Sequence, residues 1–267
     1  MATDIEIGKG IHAMQGMDFS GQVVLVTGSS TGIGKATALM FAEGGADVVV
    51  HGYQSMAAVQ AVVKAVEERG RRCLLVRGDM AVKADVERVM AEVNAIFGRV
   101  DVLVNNAGSM VGRARLEELS EDLWDRIMNV NLKSAFLVSQ AVLPLMKPLG
   151  RGRIIHLTSV AARNGGSLGA LAYATSKGGV ATLTRSMAKD LAEYNILVNA
   201  VAPGVITTPF HDKFTPSEQR DNFKQQIPLH REGTAEETAG AILFLASSFA
   251  DYISGQIIDV NGAQWFN

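Results

Sequence analysis

The sequence predicts an α/β fold, a single doubly wound parallel sheet of seven strands with helices on both faces. Three observations carry this expectation. From Gly21 onward, short β-branched runs alternate with longer helical ones. The strand runs are nearly continuous in apolar residues, as at 23–27 and 100–105, which is the pattern of strands covered on both sides. No repeat, low-complexity block or linker interrupts the 267 residues, a length suited to one large domain with a full core.

In order, strands are expected at 23–27, 47–51, 74–77, 100–105, 153–158, 196–202 and 256–260. Helices are expected at 32–43, 55–69, 82–97, 121–146, 173–194 and 235–247. Two helix starts are well marked. Thr215-Pro216-Ser217-Glu218 offers a capping threonine, proline at the first helical position and glutamate at the third, and Thr234-Ala235-Glu236-Glu237 is a second capping box. Residues 1–20 read as an N-terminal extension and 21–267 as the domain itself.

Composition narrows the function. The formal net charge is −2 with both signs mixed along the chain, which argues against nucleic-acid or anionic-membrane partners. Cys73 is the only cysteine, so neither an internal disulfide nor a cysteine-based zinc cage forms. The five histidines (His12, His51, His156, His211 and His230) lack ligand spacing on one helix, and no metal site is expected. Residues 1–20 do not read as a signal peptide, and no apolar run is long enough to span a bilayer. A soluble, cytoplasmic protein is the expectation.

Two stretches carry chemistry. The first strand runs into Thr27-Gly28-Ser29-Ser30-Thr31-Gly32-Ile33-Gly34. Glycines there permit a tight turn and close approach of backbone to a pyrophosphate, and the following helix offers free N–H groups. The spacing is G-x-x-x-G-x-G in a strand–turn–helix context, so a Rossmann-type dinucleotide fold follows. Further on, Tyr173 and Lys177 stand at i and i+4, one turn apart on one helix face. An ammonium near the phenol favours its ionised form.

With these motifs, the chain resembles the short-chain dehydrogenase/reductase family over about residues 20–263. Thr27–Gly34, Asn105-Asn106-Ala107-Gly108, Asn131, Ser159, Tyr173–Lys177 and Pro203-Gly204 carry the resemblance, in order and each beside the expected strand or helix. It implies an NAD(P)-dependent oxidoreductase that interconverts a secondary alcohol and a ketone. Tyr173 would be the general acid/base. Lys177 would lower its pKa and bond the nicotinamide ribose, and Ser159 would donate to the substrate oxygen. Asn131 would hold a water linking the lysine to solvent.

The cofactor set implied by the resemblance runs along the strand ends. Gly28, Ser30, Thr31, Gly32, Ile33 and Gly34 form the loop, with His51, Gly52 and Tyr53 after the second strand and Asp79 and Met80 after the third. Asn106, Ala107 and Gly108 follow the fourth strand, Tyr173 and Lys177 flank the nicotinamide, and Pro203, Gly204, Val205, Ile206 and Thr208 follow the sixth. Either Thr207 or Thr208 would bond the carboxamide. At the end of the second strand there is neither the acid that selects NAD nor a base that selects NADP, since Gly52 and Tyr53 stand there. The missing carboxylate leans the choice to NADP, with His51, Ser55 and the Ser29–Thr31 hydroxyls as phosphate donors.

Residues 208–229 are expected to form a substrate lid, with Phe210, His211, Phe214, Phe223, Lys213 and Lys224 in it. Arg113, Arg115, Arg163 and Asn164 are candidates to face the same pocket. The pattern is similar to 3-oxoacyl-carrier-protein reductases and to sugar or polyol dehydrogenases, so the substrate is either a 3-oxoacyl-type carbonyl or a hydroxylated compound. A cofactor-binding sensor or scaffold that no longer catalyses is the alternative, disfavoured because all four catalytic positions are filled. A homotetramer joined through 121–146 and 173–194 is implied by the resemblance, and the small residues Gly178, Gly179, Ala181, Ser186 and Ala188 would allow close helix approach.

Overall fold

The computed structural model describes residues 17–53, 56–214 and 217–266. Most of the expected N-terminal extension, Ser55, the start of the 215–218 capping box and the side chains of His211 and Lys213 lie outside the described residues.

Strands β1 (Val23–Val26), β2 (Asp47–Gly52) and β3 (Cys73–Arg77) alternate with helices α1 (Gly32–Glu43), α2 (Met56–Glu67) and α3 (Lys83–Phe97). Then come β4 (Val102–Asn105), α4 (Glu121–Met128), α5 (Ser134–Met146), β5 (Gly152–Leu157), α6 (Ala161–Asn164) and α7 (Leu171–Asp190). The chain continues through β6 (Ile196–Pro203), α8 (Pro209–Phe214), α9 (Ser217–Gln226), α10 (Ala235–Ala246) and β7 (Ile257–Val260). All seven strands pair in parallel, in the order β3-β2-β1-β4-β5-β6-β7.

Successive strand residues point to opposite faces, so an unbroken apolar strand feeds two cores at once. Val24, Val26, Val48, Val50, Val102 and Val104 pack with Phe41 of α1, Val59 of α2 and Ile242 of α10. Their neighbours Val23, Leu25, Val49, Leu103 and Val198 pack on the other side with Val89 of α3 and Val142 of α5. Each fully buried Val, Leu or Ile contributes roughly 1.5–3 kcal/mol.

The helix expected over 121–146 is interrupted. Asn129–Lys133 form a π-turn between α4 and α5. Buried Asn131 sits in it, with Nδ2 donating to Ile127 O at 3.0 Å and Ser109 O at 2.8 Å, and Oδ1 accepting Ser109 N–H at 3.0 Å. The widened turn lets this amide reach the loop after β4, a link that hydrophobic periodicity does not record. At α10 the capping box forms as expected: Thr234 Oγ1 accepts Glu237 N–H at 3.2 Å and Glu237 Oε2 accepts Thr234 N–H at 2.8 Å.

Candidate active site

The strand order reverses between β1 and β4, and a cavity of about 1210 Å³ opens over the C-terminal strand ends there. This is where an open α/β sheet places ligands. Its seam is sewn by two side chains. Thr27 Oγ1 accepts the N–H groups of Asn106 and Ala107, both at 3.0 Å. Asn106 Nδ2 donates back to Thr27 O and Gly28 O, both at 2.9 Å.

The glycine loop fits a pyrophosphate. Gly28 and Gly32 have φ of +63° and +55°, and a Cβ on Gly34 would lie 2.4 Å from both Asn106 Nδ2 and Gly28 O. Thr31 caps α1 without a side-chain hydrogen bond, and the first turn carries no acid, so the leading N–H groups are left for an anion.

His51 is buried, and its ring joins three loops. Nδ1 accepts Gly28 N–H at 2.9 Å, which leaves Nε2 to donate to Gly78 O, also at 2.9 Å. Both nitrogens are therefore committed to the protein, and the expected part of a phosphate donor is not open to this side chain. Burial holds its pKa below the usual histidine value. A Cβ on Gly52 would meet Val59 Cγ2 at 2.3 Å, which explains why no carboxylate stands there. Asp79 closes a turn through Ala81 N–H at 2.9 Å, and Asp85 Oδ2 accepts the Asp79 N–H at 2.7 Å.

At the other end, Ser159 follows β5 and lines the cavity together with Tyr173 from α7. Ser159 Oγ also accepts Ala161 N–H at 3.1 Å. The Tyr173 ring borders the cleft but its hydroxyl is set deep, and desolvation pushes its pKa up to about 12 against the opposing pull of Ser159 and of Arg113. Lys177 is 4 % exposed and donates to Leu157 O at 2.8 Å, with its pKa brought down to about 8 by burial. Its Nζ lies 5.8 Å from the Tyr173 ring centre. Of the groups that oppose the rise, Ser159 comes first and the Arg113 charge second.

Of the four expected catalytic residues and the cofactor set from Gly28 to Thr208, all but Gly34 and Asn131 line the cavity. Gly34 lies behind the loop against Asn106 and Gly28, and Asn131 lies behind Gly108, whose Cβ would sit 2.7 Å from Asn131 Oδ1 and 3.2 Å from Lys177 Nζ. The two threonines separate. Thr207 Oγ1 donates to Glu232 at 2.7 Å, while Thr208 faces the loop, with its Cγ2 3.1 Å from where a Gly32 Cβ would be. Arg113 and Asn164 line the cavity; Arg115 is exposed, and Arg163 pairs with Asp259 at 3.8 Å.

The far wall comes from α8 and α9. Phe210 lies 6.0 Å from Tyr173 and 5.2 Å from Phe214, ring centre to ring centre. Arg220 of α9 grips Glu232 through Nε at 2.9 Å and Nη2 at 2.5 Å. That grip and Thr207 hold the Glu232 carboxyl at about 2.

Sequence reasoning missed a buried polar cluster beneath the site. Asn105 Nδ2 donates to Ser139 Oγ at 2.8 Å and to His156 Nδ1 at 3.2 Å, and burial together with the Lys177 charge takes the His156 pKa down to about 3. A histidine in the middle of an apolar strand was the available signal. Among the described residues no group of histidines, cysteines and carboxylates is placed to hold a metal ion, and no helix is long and apolar enough to cross a membrane.

Comparison with known proteins agrees with this geometry. Residues 28–263 match the family model described as "Enoyl-(Acyl carrier protein) reductase". The chain is similar to a 3-oxoacyl-[acyl-carrier-protein] reductase of Thermotoga maritima, 42 % identical over 92 % of this chain and 98 % of that one. It is also similar to a (2S)-[(R)-hydroxy(phenyl)methyl]succinyl-CoA dehydrogenase subunit of Thauera aromatica, 39 % identical over 93 % and 98 %. Among solved structures, a 7α-hydroxysteroid dehydrogenase complexed with NADH and 7-oxo glycochenodeoxycholic acid superposes with a TM-score of 0.89 at 35 % identity, covering 94 % of this chain and 98 % of that one. The chain belongs to the short-chain dehydrogenase/reductase family, and is an NAD(P)-dependent oxidoreductase that interconverts secondary alcohols and ketones.

Proposed function

We propose that this protein reduces a 3-oxoacyl-type ketone with NADPH, using Tyr173 as the proton donor. The observation that carries the reading is that Ser159, after β5, and Tyr173, from α7, line the same end of the cavity, with Lys177 buried beside them. A phenol kept protonated by burial is ready to give its proton to a carbonyl oxygen as negative charge develops there. Ser159 donates to the same oxygen and fixes its direction. Lys177, held by Leu157 O, would hydrogen-bond the ribose of a bound dinucleotide. Asn131 acts as a positioning residue by fixing the loop at Ser109. When bound, the nicotinamide supplies the hydride.

The residues present fit the dinucleotide. The glycine loop and the α1 N-terminus take the pyrophosphate, Asp79 and Met80 border the adenine, and Thr208 with Val205 and Ile206 borders the nicotinamide. Preference for NADPH is supported by the absence of a carboxylate at Gly52 and Tyr53, since such a group would repel a 2′-phosphate. The substrate class is supported by the similarity to the Thermotoga maritima reductase and by the apolar wall of Phe210, Phe214 and Phe223. We read residues 208–229 as the substrate lid, tied down at Arg220 and Glu232.

A homotetramer in the cytoplasm completes the reading. It is supported by an apolar hollow between α5 and α7, lined by Met128, Leu132, Phe136, Gly179 and Leu183, and by the single free Cys73. The test is titration of the purified protein with NADPH and NADH by nicotinamide fluorescence, followed by reduction of acetoacetyl thioester and ester. Tight NADPH binding with ketone reduction is expected; binding of neither dinucleotide would sink the proposal.

A further inference from the structure

Among the described residues Arg113 has no counter-charge, and it stands on the wall of the reaction chamber. It follows β4 by a loop, lines the cavity beside Tyr173, and is half-buried. Three of its five N–H groups are used. Nε donates to Phe214 O at 3.2 Å, and Nη1 donates to Ser167 Oγ at 2.8 Å and Leu168 O at 3.3 Å. All three acceptors are uncharged. No carboxylate among the described residues comes within 4.0 Å of the guanidinium, whereas Arg99, Arg153, Arg220 and Arg231 each have one.

Partial desolvation without a counter-ion is unfavourable for a guanidinium, and burial does lower its pKa. The structure keeps that charge near the reacting phenol, close enough to favour its ionised form. Three bonds to uncharged acceptors fix the plane of the group and leave both Nη2 hydrogens without a protein partner among the described residues. Ser167, at its edge, carries a hydroxyl proton of its own to donate. A carboxylate would have Nη2 and the Ser167 hydroxyl as donors, with the charge-assisted bonding that guanidinium groups favour.

We propose that Arg113 binds a free carboxylate on the substrate, so that this enzyme prefers oxo acids to neutral esters or thioesters of the same chain. The proposal rests on the reading that a carbonyl is reduced at Ser159 and Tyr173, and it specifies the acyl end of that substrate. The three uncharged contacts are then the frame that aims the fork, and Phe214 O couples the position of α8 to it.

The experiment compares acetoacetate with ethyl acetoacetate, and levulinate with ethyl levulinate, as substrates of the wild-type enzyme and of Arg113→Met and Arg113→Lys, with NADPH binding measured alongside. For wild type, kcat/KM for at least one acid should exceed that of its ester. In Arg113→Met the acid should lose about 10- to 100-fold more than the ester, whose own change reports only the loss of a charge near Tyr173, since one charge-assisted contact is worth that much. Arg113→Lys should recover part of the loss, as charge without the fork. Two results overturn the proposal: wild type reducing the esters as well as or better than the acids, or both variants lowering acid and ester equally, which marks a purely structural strap. Should esters be reduced and acids not, this inference falls and the proposed function stands. Reduction of none of the four, with no NADPH binding, would remove both.

Discussion

The imidazole of His51 accepts the backbone N–H of Gly28 at 2.9 Å, so the first glycine of the phosphate loop is held by a histidine that must be neutral. Protonated, the ring would present an N–H to an N–H and push the loop away. Desolvation already opposes that protonation. NADPH affinity should therefore be flat around neutrality and weaken only in more acid solution, below the lowered pKa of the folded-state imidazole, and His51→Gln should abolish that acid-side weakening. A titration of dissociation constant against pH checks it.

Acid should also weaken the fold through His156. This imidazole is neutral in the native state down to about 3, whereas the unfolded chain binds a proton below 6.5. Between those values the unfolded state carries the extra proton, so stability falls as pH falls, by about 1.4 kcal/mol per pH unit. Urea melts at several pH values should show this slope, reduced in His156→Asn.

Tyr173→Phe removes the proton donor but keeps the ring against Phe210. Turnover should drop by about 10²- to 10⁴-fold with NADPH binding retained. A variant with full turnover would end the assignment of Tyr173.

Gly34→Ala places a methyl 2.4 Å from two polar atoms of the seam between β1 and β4. Overpacking of this kind costs about 1–3 kcal/mol. Lower melting temperature and weaker dinucleotide binding should appear together, whereas Gly240→Ala, with nothing within 4 Å of its Cβ, should leave binding alone.

Phe136 is 44 % exposed on the apolar hollow of α5 and α7. Phe136→Glu should shift sedimentation toward smaller species if copies of the chain meet there, with circular dichroism unchanged.

Much of this was legible in the sequence because it depends on local rules. Apolar β-branched runs of strand length such as Val48–Val50 belong in a two-sided core, and glycines after a strand mark the phosphate loop, so the sheet and its ligand-bearing edge follow. Side-chain direction in irregular segments was not legible. Arg113 and Arg163 look alike in the chain, yet one lines the cavity and the other turns to Asp259. Thr207 and Thr208 likewise part only when Glu232, distant in sequence, claims the first. The π-turn left no trace in hydropathy either, since one extra residue in a helix alters phase without altering composition.

That extra residue lets one helix answer to two sets of neighbours. An uninterrupted α-helix would fix the azimuth of Ile127 and of Val142 relative to each other. The wide turn at Asn129–Lys133 offsets them by one position, so the segment before it can be phased to the cleft and the one after it to the sheet. Deleting any one residue there should return the helix to a single phase, rotating one half by about 100° and leaving either the loop at Ser109 or the β4–β5 core without its partner.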